Sequence, residues 1–239
     1  MSNTLAIVMP IKNRLTLTRQ TIESLISTVN IPCKLILVAD DCNKETIDYL
    51  YTLSSTDLIE LIVIKSFKPL GPGKARNLGM NVAGEADYYY HTDCDMYFLD
   101  GWLEKLLTAY KDHKDLGVLG GRKHPHHGEI AKIFDPKGYD IVISDQQVGM
   151  SMLFSKEVWN KVKEKYGGFK DNGYSPHTMG QEDTAFCSQV QELGYKVGSI
   201  SPAVVLHCGI KNTFGMDTAG HPEELQQPFP VGVLYGIYD

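Results

Sequence analysis

No stretch of this chain carries a run of lysine and arginine, and its 23 basic residues are outnumbered by 29 acidic ones, for a formal net charge of -6. Tight, sequence-independent binding to nucleic acid depends on neutralising phosphates, so that class is disfavoured, although a local basic groove stays open. Long apolar runs are missing as well. The opening MSNTLAIVMP is apolar for only a few residues, too short for a signal-peptide core or a membrane span. Cysteine is sparse: Cys33, Cys42, Cys94, Cys187 and Cys208 are an odd five with no C-x-x-C pair. That usage points to reduced thiols and a cytoplasmic location, not to a disulfide framework. Internal repeats, low-complexity tracts and linker-like stretches are also absent. What remains, 239 residues with 43% hydrophobic and 22% charged side chains, suits one globular domain with a large core.

The first hundred residues alternate two patterns. TLAIVM (Thr4 to Met9) is a short apolar run that Pro10 should stop, and CKLILVA and LIELIVI repeat the theme. Between them Leu17, Ile22, Leu25, Ile26 and Val29 recur at helical spacing, and a short helix is expected over Glu45 to Leu53. Gly71, Pro72 and Gly73 precede a further helical stretch through Met80. ADYYYHT then delivers a fourth strand to Asp93 and Asp95. Such alternation predicts an α/β fold with a mostly parallel central sheet flanked by helices. Ligands of such sheets gather at the carboxyl ends of the strands. Asp40, Asp41, Asp93 and Asp95 all stand at that edge.

Beyond Asp100, read as an N-cap, GWLEKLLTAYKDH is an amphipathic helix and LGVLGG another strand. The segment from Arg122 to Gln147 loses its pattern and reads as a long excursion with some extended structure. VGMSMLF, a helix begun by Ser155, the helix QEDTAFCSQVQEL ended by Gly194, and the strands KVGSI and AVVLH follow. From Lys211 the chain reads as a tail wrapping the domain. Trp102 and Trp159 fall at apolar helical positions and are assigned to the core. His124 to His127 (HPHH) do not present a tetrahedral zinc set, because Pro125 interrupts them and no cysteine lies near.

Residues i and i+2 of an extended segment point the same way, so Asp93 and Asp95 can address one ligand together. Hard carboxylate oxygens suit Mg2+ or Mn2+, which in turn bridges diphosphate oxygens. The plain alternative is a solvated turn. Asp40 and Asp41 can accept from a base N–H or a ribose hydroxyl, or serve as turn chemistry. GPGKARN offers Lys74 and Arg76 to two phosphates, without the spacing of a P-loop. Arg76 is equally well read as a brace for the aspartate loop. Glu182 and Asp183 are acids in the first turn of a helix, which its dipole favours in any case.

IVMPIKNR, LILVADDCNKET, GPGKARNLGMNVAGEADYYYHTDCD, VGMSMLFSKEVW, GGFKD, QEDTAFCSQVQELGYKV and VVLH, in this order, resemble the family 2 glycosyltransferases of GT-A fold. The resemblance spans Leu5 to His207. It implies a metal-dependent inverting transfer of a sugar from a nucleoside diphosphate, UDP being indicated, to a hydroxyl acceptor. Under it, residues 1–100 form the nucleotide-sugar half, 101–210 the acceptor side and 211–239 the tail. Asp95 and His207 become metal ligands, with Asp93 beside the metal or the ribose. Pro10, Lys12, Asp40 and Asp41 line the nucleotide pocket, Asp41 at the base, while Lys74, Arg76 and Lys211 face the diphosphate. Asp183 becomes the catalytic base and Glu182 orients acceptor hydroxyls. A nucleotidyltransferase of related fold and a non-catalytic nucleotide-sugar-binding relative are the two rival readings. The acceptor, whether glycan, lipid, protein, metabolite or modified nucleobase, is not readable.

Overall fold

In the computed structural model, residues 4–122, 129–144, 151–170 and 182–208 are described. Short runs of β-branched and aliphatic residues become buried strands, and the amphipathic segments between them become helices that cover both faces. In chain order these are β1 (Leu5–Ile11), α1 (Leu15–Thr28), β2 (Cys33–Asp40), α2 (Lys44–Thr52), β3 (Ile59–Ser66), α3 (Pro72–Ala83), β4 (Tyr88–Thr92), β5 (Met96–Phe98), α4 (Trp102–Asp112) and β6 (Leu116–Gly120). The second half continues with β7 (Glu129–Asp135), β8 (Tyr139–Ser144), β9 (Ser151–Ser155), α5 (Lys156–Tyr166), α6 (Glu182–Glu192), β10 (Lys196–Ser201) and β11 (Val205–His207).

Among the described residues, nine strands form one sheet in the order β3-β2-β1-β4-β9-β6-β10-β8-β7, and β5 pairs with β11 in a separate two-stranded sheet. The first four in space are parallel, and β10 runs parallel to β6. β9 lies antiparallel between β4 and β6, so β6 ends at the same edge as β4. The β7–β8 hairpin extends the far flank with antiparallel pairs.

Period-2 alternation partitions each central strand between two cores. In β1, Leu5, Ile7, Met9 and Ile11 face the core under α1, α2 and α4, while Ala6 and Val8 face the core under α3, α5 and α6. Trp102 belongs to the first cluster and Trp159 to the second, as their helical positions imply. Ser155 caps α5, accepting from the Val158 N–H at 3.3 Å.

Two local expectations need correction. Pro10 does not end β1; it lies inside it, opposite Val38 of β2. β4 pairs with β1 only as far as Val8, so the missing proline N–H costs no bond in that ladder. Asp100 is not the N-cap of α4. That position belongs to Gly101, in the left-handed region at φ 72°, where no side-chain cap is made.

Gly79 marks the closest approach of α3 to the sheet. A Cβ there would sit 2.3 Å from Val8 Cγ1 and 3.2 Å from Val38 Cγ2. Alanine improves helix propensity by about 1 kcal/mol, but overpacking a core costs about 1–3 kcal/mol. Gly79→Ala is therefore expected to lower the unfolding free energy in urea, and a gain would refute the tight seating of α3.

Among the described residues no helix is long and apolar enough to cross a membrane. The HPHH run, Lys211 and the tail lie outside the described residues.

Candidate active site

The strand-end carboxylates converge, and the chain strains its backbone to arrange them. Asn13, Arg14 and Asp41 are non-glycine residues with φ of 55°, 56° and 49°. This left-handed region costs a side-chain-bearing residue roughly 1–2 kcal/mol. Local bonds hold it: Asn13 Oδ1 accepts from the Asn43 N–H at 2.7 Å, and the Asn13 carbonyl accepts from Thr18 Oγ1 at 3.0 Å. Lys12 Nζ donates to the Asp41 carbonyl at 2.9 Å and to its Oδ2 at 3.2 Å. Asp41 remains exposed, and Pro10 is half-buried.

The turn at Arg14 sends its guanidinium to Asp95, with Nη1 donating to Oδ2 at 2.7 Å. His207 Nε2 stands 3.3 Å from the same oxygen. β11 brings it there, pairing His207 with Met96 of β5, while the Cys208 N–H donates to the Asp95 carbonyl at 2.7 Å. β5 itself hangs from α1, whose Thr21 and Ser24 hydroxyls accept the Met96 and Phe98 N–H groups at 2.9 and 3.2 Å. Burial pushes the Asp95 carboxyl upward, but His207 and Arg14 outweigh it and hold the group below the usual carboxylate range. Asp95 Oδ1 is buried and accepts no hydrogen bond from the described residues.

On the other side of the Asp-x-Asp turn stands Arg76, only 2% exposed. Its Nη2 donates to Asp93 Oδ1 at 2.7 Å, and its Nε donates to Glu182 Oε1 at 3.0 Å. Of the two roles read for Arg76, the geometry gives the brace: this side chain ties the aspartate turn to the start of α6. Burial alone favours loss of the guanidinium proton, yet Asp93, Glu182 and Asp183 overcome it and keep the group charged. Glu182, buried and turned onto Arg76, holds the scaffold together at the position where acceptor hydroxyls were expected. Asp183, beside it, is half-exposed, its Oδ1 accepting from the Thr184 N–H at 2.7 Å. Burial and Glu182 raise its carboxyl above the ordinary value. Asp93 is raised too, by burial first and then by Asp95, Glu182 and Asp183, against the pull of Arg76.

One candidate is already engaged by backbone amides. Asp40 accepts from the Leu70 and Gly71 N–H groups at 2.6 and 3.0 Å, using both carboxylate oxygens. These bonds fold the loop that opens α3 onto the end of β2. Lys74 is exposed on the first turn of α3. Asp40, Asp41, Asp93 and Asp95 stand at the expected edge, and His207 and Asp183 lie close to Asp95 and Asp93. Among the described residues, no three His, Cys, Asp or Glu side chains surround a common metal position. Asp95 and His207 form a pair.

Two cationic residues escaped the sequence reading. Arg14 stands in the IVMPIKNR stretch, just past the first strand, and Arg122 stands just past LGVLGG. The signal available was their place: a charge at the carboxyl end of a buried strand on the ligand edge.

Comparison with known proteins bears on the fold and the family. The O-antigen chain rhamnosyltransferase RfbN of Salmonella typhimurium is 22% identical over 240 residues, covering 97% of this chain and 72% of the relative. A mannosyltransferase, PcManGT from Pyrobaculum calidifontis, solved in complex with GDP-Man and Mn2+, superposes with a TM-score of 0.60 at 15% identity over 82% of this chain. S. aureus TarS 1-349 in complex with UDP-GlcNAc gives 0.59 at 15% identity over 84% of it. The chain spans 54% and 57% of these two structures, so they speak for the fold of that shared portion. The sequence profile of glycosyl transferase family 2 matches residues 6–178, well over half of the chain, and the protein therefore belongs to glycosyl transferase family 2.

Proposed function

We propose that this protein is an inverting glycosyltransferase that moves a sugar from a nucleoside diphosphate, UDP in our reading, to a hydroxyl acceptor. The observation carrying the proposal is that one cleft edge gathers Asp95 with His207 and, across Arg76, Asp93 with the Glu182–Asp183 pair. Family membership argues against the nucleotidyltransferase alternative.

In this reading the nucleotide lies over the β1–β2 side, with Asp41 offering its exposed carboxylate to the base. Lys12 fixes that carboxylate through two bonds. Asp183, on the mobile-proton side of the chemistry, takes the acceptor hydroxyl proton as the oxygen attacks the anomeric carbon. Because the base and the departing diphosphate occupy opposite faces of the sugar, a single displacement inverts the anomeric centre. Arg76 holds Asp93 and Glu182 in place while charge shifts past them.

The residues present fit a divalent cation. Among the described residues, Asp95 keeps one buried oxygen without a hydrogen bond, and His207 lies against the other. Mg2+ and Mn2+ use one or two protein ligands and complete their shell with water and phosphate oxygens, so a three-residue cage is not required. Asp95 and His207 would hold the ion, with Asp93 beside it, and the ion would supply charge stabilisation for the leaving diphosphate. A solved neighbour that carries GDP-Man and Mn2+ supports the reading.

The test is incubation of the purified protein with a panel of nucleotide sugars, with Mn2+, with Mg2+ and with chelator. Metal-dependent release of a nucleoside diphosphate from one donor is expected, stopping when chelator is added. Failure of every nucleotide to bind would overturn the assignment.

A further inference from the structure

Among the described residues, the arginines of the cleft are paired with carboxylates, with one exception. Arg76 has Asp93 and Glu182, and Arg14 has Asp95. Arg122, half-buried just past the end of β6, has no hydrogen bond or ion pair among the described residues, and its Nη1 is buried without a partner there. Burial works against its charge, and its attraction to Asp95 offsets only part of that cost. Withdrawing a guanidinium from water without a counter-charge is expensive.

The placement of Arg122 is tightly determined. The preceding Gly121 accepts from the Val204 and Val205 N–H groups at 2.9 and 3.2 Å, and its own N–H donates to Ser151 Oγ at 3.1 Å. A Cβ at Gly121 would meet Ser151 Oγ and Val205 Cγ2, each at 2.7 Å, so the backbone is wedged between β9 and β11. β11 carries His207, and β9 pairs Ser151 with Thr92, next to Asp93. Arg122 therefore approaches the same cleft from β6, on the flank of β4 away from β1 and β2. In the reading above, that flank is where the sugar and the acceptor lie.

Resting on that reading, we propose that Arg122 is a specificity residue that binds an anionic oxygen pair, phosphoryl or carboxylate, carried by a substrate on the sugar side of the cleft. A planar guanidinium fork suits such a pair, and a bound anion would supply the counter-charge that Arg122 lacks among the described residues.

The experiment has two parts. In the first, Arg122→Met is melted without ligand beside wild type. Removing an unpaired buried charge should leave the melting temperature unchanged or raised, whereas a clear fall would make Arg122 a structural residue and overturn the inference. In the second, wild type, Arg122→Gln and Arg122→Lys are titrated calorimetrically in Mn2+ with four probes: UDP, UDP-glucose, UDP-glucuronate and, with UDP present, glucose 6-phosphate. Arg122→Gln should weaken at least one anionic probe by about tenfold to a hundredfold, with partial recovery in Arg122→Lys. Loss on UDP itself assigns the donor phosphate, and loss on UDP-glucuronate but not UDP-glucose assigns a sugar carboxylate. Loss on glucose 6-phosphate alone assigns an acceptor anion. Identical binding of all probes by wild type and Arg122→Gln overturns the inference and leaves the nucleotide-sugar reading standing. A wild type that binds no nucleotide removes that reading and this inference with it.

Discussion

Asp183→Asn is expected to lower sugar transfer by about 10²–10⁴-fold, the contribution of a well-placed general base, while donor affinity stays near that of wild type. The asparagine keeps the shape of the side chain and can still accept from the Thr184 N–H, which Asp183 Oδ1 does at 2.7 Å. What it loses is the capacity to take a proton. Asp183 sits at the first turn of α6, where the helix dipole favours a carboxylate, yet burial and Glu182 lift its carboxyl above the ordinary 3.8. A base with a raised pKa accepts a proton more readily. Transfer by wild type should therefore rise with pH through a half-point above 3.8, and that limb should vanish in whatever residual activity Asp183→Asn retains. Single-turnover rates with calorimetric donor binding would separate the two effects. An Asp183→Asn protein that transfers at the wild-type rate would remove this residue from the base role.

Arg76→Met is expected to have the largest effect on stability. Deleting the guanidinium would leave Asp93 and Glu182 without the cation that binds them at 2.7 and 3.0 Å. Breaking a buried charge pair by removing one partner costs about 3–5 kcal/mol. Arg76→Lys should recover little, because a single ammonium cannot span both carboxylates as the planar fork does. The pH dependence has a defined sign. Carboxylates with folded pKa values raised above their unfolded values bind more protons when folded, so the stability of Arg76→Met should improve as pH falls toward the unfolded carboxylate range. Urea unfolding at several pH values measures this, and a variant within about 1 kcal/mol of wild type at neutral pH would show that the brace carries little of the fold.

How much of this was legible without coordinates follows the range of the forces involved. Strand ends are local events: an apolar run gives way to polar residues, and in an alternating α/β chain those ends share one edge. Asp41, Asp93 and Asp95 could be placed there from residue order, and the start of α6 from its acids and its periodicity. Pro10 was misread because a proline normally stops a strand, and only the early departure of β4 makes its missing N–H harmless. The role of Asp40 was hidden for another reason. Its carboxylate is claimed by amides 30 and 31 residues later, at Leu70 and Gly71, and local sequence carries no sign of such a partner.

Residue order alone therefore determined the strands, the helices between them, and the carboxylates that share their ligand edge, because hydrophobic periodicity and chain breaks act over a few residues. Tertiary structure decided which charges meet. Arg76 reaches Glu182, 106 positions away, and Arg14 reaches Asp95, 81 positions away. Electrostatic pairing depends on distance in space and on exclusion of water, and neither exists until the sheet has closed around the site.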